Sequence, residues 1–471
     1  MSLDRERINR FAAIVGERNA IIDQTGIEPY VTERRGLFPG RSQLVLLPGS
    51  VEEVSRIMAL ASETSTPVVP QGGNTGLVGA GVPDDSGDQI VVSLKRINRV
   101  RELDTNANTM IVEAGAVLQE VQTAADEADR LFPLSLGSQG TCQIGGNLSS
   151  NAGGTGVLAY GNARELCLGL EVVLPDGRIF DDLRKLKKDN TGYDLKDLFI
   201  GAEGTLGIIT AAVLKLFPKP KGREIAWVGL EGPAEALQLL SLANDSAGPM
   251  LTTFELISEI IVDFALKHVS GLRRPLGSRH PWYVMMEVSS GRSPEHAREV
   301  IEEVLTVAFE QGIVADASIT ASIAQFEAVW RLRDTMSEAQ KPEGFSIKHD
   351  ISVPVSAVPE FIEIAHRQVL EVEPNARIVC FGHMGDGNLH YNISQPVGGN
   401  SEAFADKYRQ MNDAVHAVVR SLGGSFSAEH GIGQLKRSEL LATEPAVAID
   451  LMRAIKRTLD PSGIMNPHKV I

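Results

Sequence analysis

Apolar and polar positions recur along this chain with two periods, and the changes of period divide it into elements. Residues 1–36 read as a leader with one amphipathic helix around 9–15. From residue 44 the pattern becomes strand, helix, strand. An apolar run at 44–47 precedes helical spacing over 51–63 and a second run at 67–69, with Pro48, Gly49 and Ser50 as turn and cap. Further strands are expected at 90–94, 110–113, 168–174 and 207–217, a helix at 117–128, and a tight turn at Pro175, Asp176 and Gly177. Such alternation is α/β or α+β. Pro218, Pro220 and Gly222 interrupt both periods and mark a boundary. Beyond it, strands at 224–229, 283–287 and 377–381 mix with helices at 235–244, 293–310 and 358–370. A helical tail covers 403–422 and 445–459.

Glycine is concentrated between these elements in the first half. Pro70-Gln71-Gly72-Gly73-Asn74-Thr75-Gly76-Leu77 follows directly on an expected strand. Glycines there let main-chain N–H groups approach an anion with no Cβ in the way, and Asn74 and Thr75 add donors. The spacing is neither GxGxxG nor a Walker loop. Taken alone, such a turn is more often structural. A second cluster holds seven glycines between Gly137 and Gly156, and a third runs Gly201-Ala202-Glu203-Gly204-Thr205-Leu206-Gly207. So much chain entropy is justified by close approach of a ligand or of backbone. Two long stretches and this third suit an extended dinucleotide threaded between two lobes.

Composition sets outer limits. The 471 residues exceed what one core usually serves, so two or three domains are expected. With 43% hydrophobic and 22% charged residues, the chain is globular rather than disordered. Its apolar runs are too short to span a bilayer. The start carries charges of both signs without an apolar core, so no secretory signal is expected. Cys142, Cys167 and Cys380 lie far apart, which argues against a disulfide framework or a thiolate metal site. A cytosolic chain is the expectation. The net charge of −15 disfavours nucleic acid as a partner, though a few cations can still dominate one pocket for an anionic substrate.

All ten histidines fall at or after His268, so any imidazole chemistry belongs to the second half of the chain. In Phe381-Gly382-His383-Met384-Gly385-Asp386-Gly387-Asn388-Leu389-His390-Tyr391-Asn392, two imidazoles stand seven residues apart. One unbroken strand would turn them to opposite faces, and the Gly-Asp-Gly turn lets them converge. Glu429 and His430, in Ser427-Ala428-Glu429-His430-Gly431-Ile432-Gly433, add a carboxylate and a further imidazole. Two His and one carboxylate leave a position open on a catalytic metal, whereas a lone His pair is more often structural.

The three glycine motifs, in this order, resemble the FAD-binding domain of the vanillyl-alcohol oxidase and p-cresol methylhydroxylase superfamily. GHMGDGNLHYN, SAEHGIG and DPSGIMNP resemble its D-2-hydroxyglutarate, D-lactate and glycolate dehydrogenase branch, and KDNTGYDL with WRLR is most similar to the first of these. The resemblance implies an α+β fold: a two-lobed p-cresol methylhydroxylase-type FAD-binding domain over 37–218, an antiparallel-sheet substrate cap over 222–424, and a helical C-terminal segment over 425–471. It implies flavin contacts from Pro70, Gly72, Gly73, Asn74, Thr75, Gly76, Leu77, Gly137, Ser138, Gly145, Asn147, Ser150, Gly153, Gly204, Ile209 and Asn466. It further implies His383, His390 and Glu429 as ligands of a divalent metal, zinc first, and His430 as the base. Arg333, Ser337 and Lys348 would hold the substrate carboxylate, with Asn392 nearby. Arginine offers a planar fork and lysine a point charge. Without the resemblance, Arg333 and Lys348 would read as surface ion pairs. His349 stands where an aromatic such as Tyr is expected.

The implied reaction oxidises a D-2-hydroxy acid to the 2-oxo acid, with hydride passing to non-covalent FAD. Segment 37–218 has no histidine for a histidyl link, and Cys142 reads as a small loop residue. Electron-transfer flavoprotein is the implied acceptor and a homodimer the implied assembly. Three rivals remain open: an oxygen-using flavin oxidase of another alcohol or sugar acid, a non-catalytic FAD- or metal-binding regulator, and a hydrolytic zinc enzyme. The last leaves the glycine segments without a purpose.

Overall fold

A computed structural model describes residues 3–471, and its backbone contacts divide the chain into two compact units. Among the described residues, the first comprises 3–153, 161–219 and 429–471; the second comprises 154–160 and 220–428. The chain therefore returns to its first unit at Glu429.

Two main sheets, beside a two-stranded pairing of Arg130–Leu131 with Phe217–Pro218, build the first unit among the described residues. In the smaller, Val45–Leu46 and Val68–Gln71 flank Ile90–Ser93 in parallel, and Ala20–Ile21 adds an antiparallel edge. Helix Val51–Thr64 makes the crossover. Ser50 caps it by accepting from the Glu53 amide, while Glu53 reaches back to the Gly49 amide at 2.7 Å, which satisfies donors that would otherwise be orphaned. The larger sheet is antiparallel, in the order Val100–Asp104, Thr109–Glu113, Ile208–Lys215, Cys167–Val173, Ile179–Asp182. The leader helix Arg5–Val15 and the tail helix Ala446–Leu459 both belong to this unit.

The second unit is one antiparallel eight-stranded sheet. Its order is Asp316–Ile319, Gly222–Leu230, Trp282–Ser290, Leu251–Ser258, Arg377–His383, Asn388–Ser394 and Ser346–Ile347, and Asp350–Ser352 also pairs with Asn388–Ser394. Both faces are covered. Helices Pro233–Ala247, Pro294–Glu310, Val358–Val372 and Tyr408–Ser421 share one core with Phe254, Leu256 and Met286. Helices Glu259–His268 and Ile323–Ala339 share the opposite core with Ile257, Met285 and Phe381.

The expected α+β class and the antiparallel cap are both present. Two expectations differ in detail. The 403–422 helix is broken into Ser401–Ala405, which starts at Asn400 where the side chain accepts the Ala403 amide, and Tyr408–Ser421. The strand Leu251–Ser258 and the helix Ile323–Ala339 went unanticipated. No helix among the described residues is long and apolar enough to cross a membrane.

Candidate active site

A cleft in the first unit gathers the glycine motifs. Pro70, Gly72, Gly73, Asn74, Thr75, Gly76, Gly145, Asn147, Ser150, Gly204 and Ile209 all line it. Leu77, Gly137, Ser138, Gly153 and Asn466 do not. The loops interlock tightly: a Cβ on Gly73 would sit 2.1 Å from the Thr141 carbonyl oxygen, and one on Gly204 would sit 2.5 Å from Pro70. At Gly76 and Gly146, by contrast, a Cβ would meet nothing within 4 Å, so the chain there leaves open space along the cleft. The Gln143 Oε1 and Asn147 Nδ2 atoms, both on cleft-lining residues, are buried with no protein partner. Such atoms cost free energy unless a ligand satisfies them, and together with the glycines they fit a dinucleotide. Cys142 is buried and its thiol pKa is raised by that burial; it does not line the cleft.

His430 lines the same cleft although it is far away in sequence. Its segment is held from below by Glu203, whose carboxylate accepts the Ile432 amide at 2.7 Å and the Gly433 amide at 2.8 Å. Burial pushes the Glu203 pKa up, and these two donors oppose that rise. The Asn466 amide donates to the Glu203 and Ala80 carbonyls at 2.7 and 3.1 Å, which ties the C-terminal motif to both loops. Asn466 thus braces the cleft wall. Sequence reasoning placed Glu203 in a glycine motif without seeing this anchoring role.

In the second unit, His383 ends its strand, residues Met384–Asp386 turn, and Gly387 takes a left-handed φ of 82° before the next strand. The two imidazoles accordingly come together, with His383 and His390 ring centroids 5.5 Å apart. Glu255, fully buried on Leu251–Ser258, pairs across the sheet with His383. Its Oε1 lies 2.5 Å from His383 Nδ1, and its Oε2 accepts from Arg333 at 2.6 Å. Desolvation alone would raise the Glu255 pKa; Arg333 and His383 outweigh it and hold the carboxyl down to about 2. The Arg333 guanidinium also lies 5.3 Å from the Phe381 ring centroid, and Phe381 in turn packs 5.1 Å from His390.

The remaining anchors differ in exposure. Ser337 stands exposed one helical turn beyond buried Arg333, and Lys348 is exposed between two short strands. Asn392 is buried and donates to Gln340 at 3.0 Å. His349 is buried, with Nδ1 2.8 Å from the Tyr391 carbonyl oxygen and its ring edge-on to His416. Where Tyr was expected, the imidazole packs against the Tyr391 and His416 rings. Within the second unit the donor set His383 and His390 fits zinc by ligand type, and Glu255 at Nδ1 of His383 is the kind of carboxylate that orients a ligating imidazole. Ala428, the last residue of this unit, donates to the Asp350 carbonyl at 3.3 Å, and Glu429 follows directly.

Fold and cleft define an FAD-linked oxidoreductase. Residues 42–182 match the family described as FAD binding domain, and residues 219–470 match FAD linked oxidases, C-terminal domain. The solved structure of p-cresol methylhydroxylase with substrate bound superposes with a TM-score of 0.76 at 15% identity, covering 99% of this chain and 96% of that one, a likeness of fold. A mitochondrial D-2-hydroxyglutarate dehydrogenase of Arabidopsis thaliana is 36% identical over 471 residues, all of this chain and 82% of the relative. The namesake from Danio rerio is 38% identical over 92% of this chain and 79% of its own length. The chain belongs to the D-2-hydroxyglutarate dehydrogenase family, and it is an FAD-dependent dehydrogenase of D-2-hydroxy acids, acting on their CH–OH group. One expectation is corrected. Both relatives are named mitochondrial, which overturns the cytosolic expectation. Scattered reduced cysteines separate secreted from reducing compartments, and do not separate one reducing compartment from another.

Proposed function

We propose that the acid is D-2-hydroxyglutarate, that His383, His390 and Glu429 hold a zinc ion at its hydroxyl, and that His430 takes the hydroxyl proton. The observation that carries this is His430 on the wall of the glycine-lined cleft, where a proton acceptor serves an oxidation at the flavin. Bound FAD supplies the hydride acceptor, and the cation a Lewis acid that lowers the hydroxyl pKa. An imidazole can take up and release a proton within the physiological pH range, which suits a general base. Arg333 and Lys348 supply positive charge for the 1-carboxylate, Ser337 a hydroxyl and Asn392 an amide, which together orient Cα. The wall loops from Gly72 to Gly76 and from Gly145 to Ser150 would cradle the pyrophosphate. Electron-transfer flavoprotein as acceptor and a homodimeric assembly complete the proposal on the strength of the family resemblance.

The test is His430→Asn, with flavin reduction followed anaerobically by stopped flow. A drop of about 10²–10⁴ in the reduction rate is expected, with flavin and zinc contents unchanged. A rate within a few-fold of the parent would remove His430 from its role.

A further inference from the structure

We infer that Glu255 is a positioning residue whose single carboxylate orients both the imidazole that binds the cation and the guanidinium that binds the substrate. The inference rests on the metal and substrate roles proposed above for His383 and Arg333.

Glu255 lies in an interior strand, with Met285 opposite it on one side and His383 on the other. Its strand neighbours Phe254 and Leu256 point into one apolar core and Ile257 into the other, so Glu255 shares the face carrying the helix Ile323–Ala339. A carboxylate buried there is expensive, and well-packed apolar residues usually do as well or better than a buried ion pair for stability. The fold gains little from a glutamate at this position. What the glutamate does provide is direction, because each oxygen is committed to a different partner.

The Oε1 atom engages His383 at Nδ1. A cation held by this ring would need the proton on Nδ1 and the lone pair on Nε2; Glu255 Oε1 stands where it can accept that Nδ1 proton and restrain rotation of the ring. The Oε2 atom takes the Nε and Nη2 side of Arg333. The opposite edge of the guanidinium keeps further N–H donors in a rigid fork for a substrate carboxylate. Phe381 supports the guanidinium from its ring face and packs against His390, which closes a ring of contacts through Arg333, Phe381, His390, His383 and Glu255. A shift of the carboxylate therefore displaces the cation site and the substrate anchor together.

The test uses the flavin-loaded protein and Glu255→Gln, which keeps the shape and removes the charge, with Glu255→Asp as a second variant that shortens the reach. Zinc affinity is measured by competition against a chromogenic chelator, and kcat and KM are measured separately with D-2-hydroxyglutarate. Both variants are expected to bind zinc about 10–100-fold more weakly. Each is also expected to raise KM at saturating zinc by at least tenfold, with flavin content unchanged. Parent-like zinc affinity and KM in either soluble variant would overturn the role of Glu255 and leave the metal proposal standing. If the parent protein itself binds no zinc, and His383→Ala changes nothing, the metal proposal and this inference fall together.

Discussion

At the scale of single residues, buried charge separates function from structural cost. Glu255 and Arg333 compensate one another inside the second unit. Lys469 has no such compensation: its side chain is 1% exposed and its Nζ has no hydrogen-bond partner among the described residues. Burial pulls its pKa down to about 8, and the charge of Asp84 opposes this only partly. In the unfolded chain the same amine titrates near 10.5. Between these values the unfolded state holds the extra proton, so the unfavourable contribution is complete below pH 8 and is relieved as pH rises towards 10.5. The difference corresponds to about 3 kcal/mol at most. Lys469→Met is therefore expected to stabilise the protein by about 1–3 kcal/mol at pH 7, in urea unfolding, with a smaller gain at pH 9. A variant less stable than its parent at pH 7 would show that Lys469 has a compensating partner.

At the scale of elements, the segment carrying Glu429 and His430 depends on backbone geometry. Gly431 has a φ of 79°, and a Cβ there would lie 2.7 Å from Glu203 Oε1, the carboxylate that holds the Ile432 and Gly433 amides. Gly431→Ala should cost about 1–3 kcal/mol of stability and lower kcat at least tenfold, with the flavin still bound. Unchanged kcat and unfolding midpoint would mean that the segment tolerates displacement. The elements with clean periodicity were legible in the sequence: Val51–Thr64, Pro294–Glu310 and Val358–Val372 each carry an apolar stripe and a recognisable start. Leu251–Ser258 was not legible, because all eight of its residues are buried and no alternation survives. Glu255 was hidden with it, since its partner His383 lies 128 residues away. Glu203 was hidden for the same reason, 229 residues before Ile432. The glycine loops and the His383 turn announced themselves through local composition, whereas the residues that brace them act through pairings no local pattern encodes.

At the scale of the whole molecule, the chain builds its flavin cleft from segments at both ends of the sequence. It interrupts that unit with an antiparallel sheet bearing the two imidazoles and the arginine. The excursion explains why all ten histidines are late in the sequence while His430 still lines a cleft made mostly of early residues. Residues from all three ordered glycine motifs line that cleft. The identity of the acid rests on family membership and is open to the most direct challenge. The FAD-loaded protein should be mixed anaerobically with D-2-hydroxyglutarate, its L enantiomer, D-lactate and D-malate, with and without prior chelator treatment, and flavin absorbance followed. Rapid bleaching by D-2-hydroxyglutarate, absent with the L enantiomer, slowed at least tenfold by the chelator and restored by zinc, is the expected result. Bleaching by none of these acids, or bleaching by D-2-hydroxyglutarate indifferent to the chelator, would contradict the account.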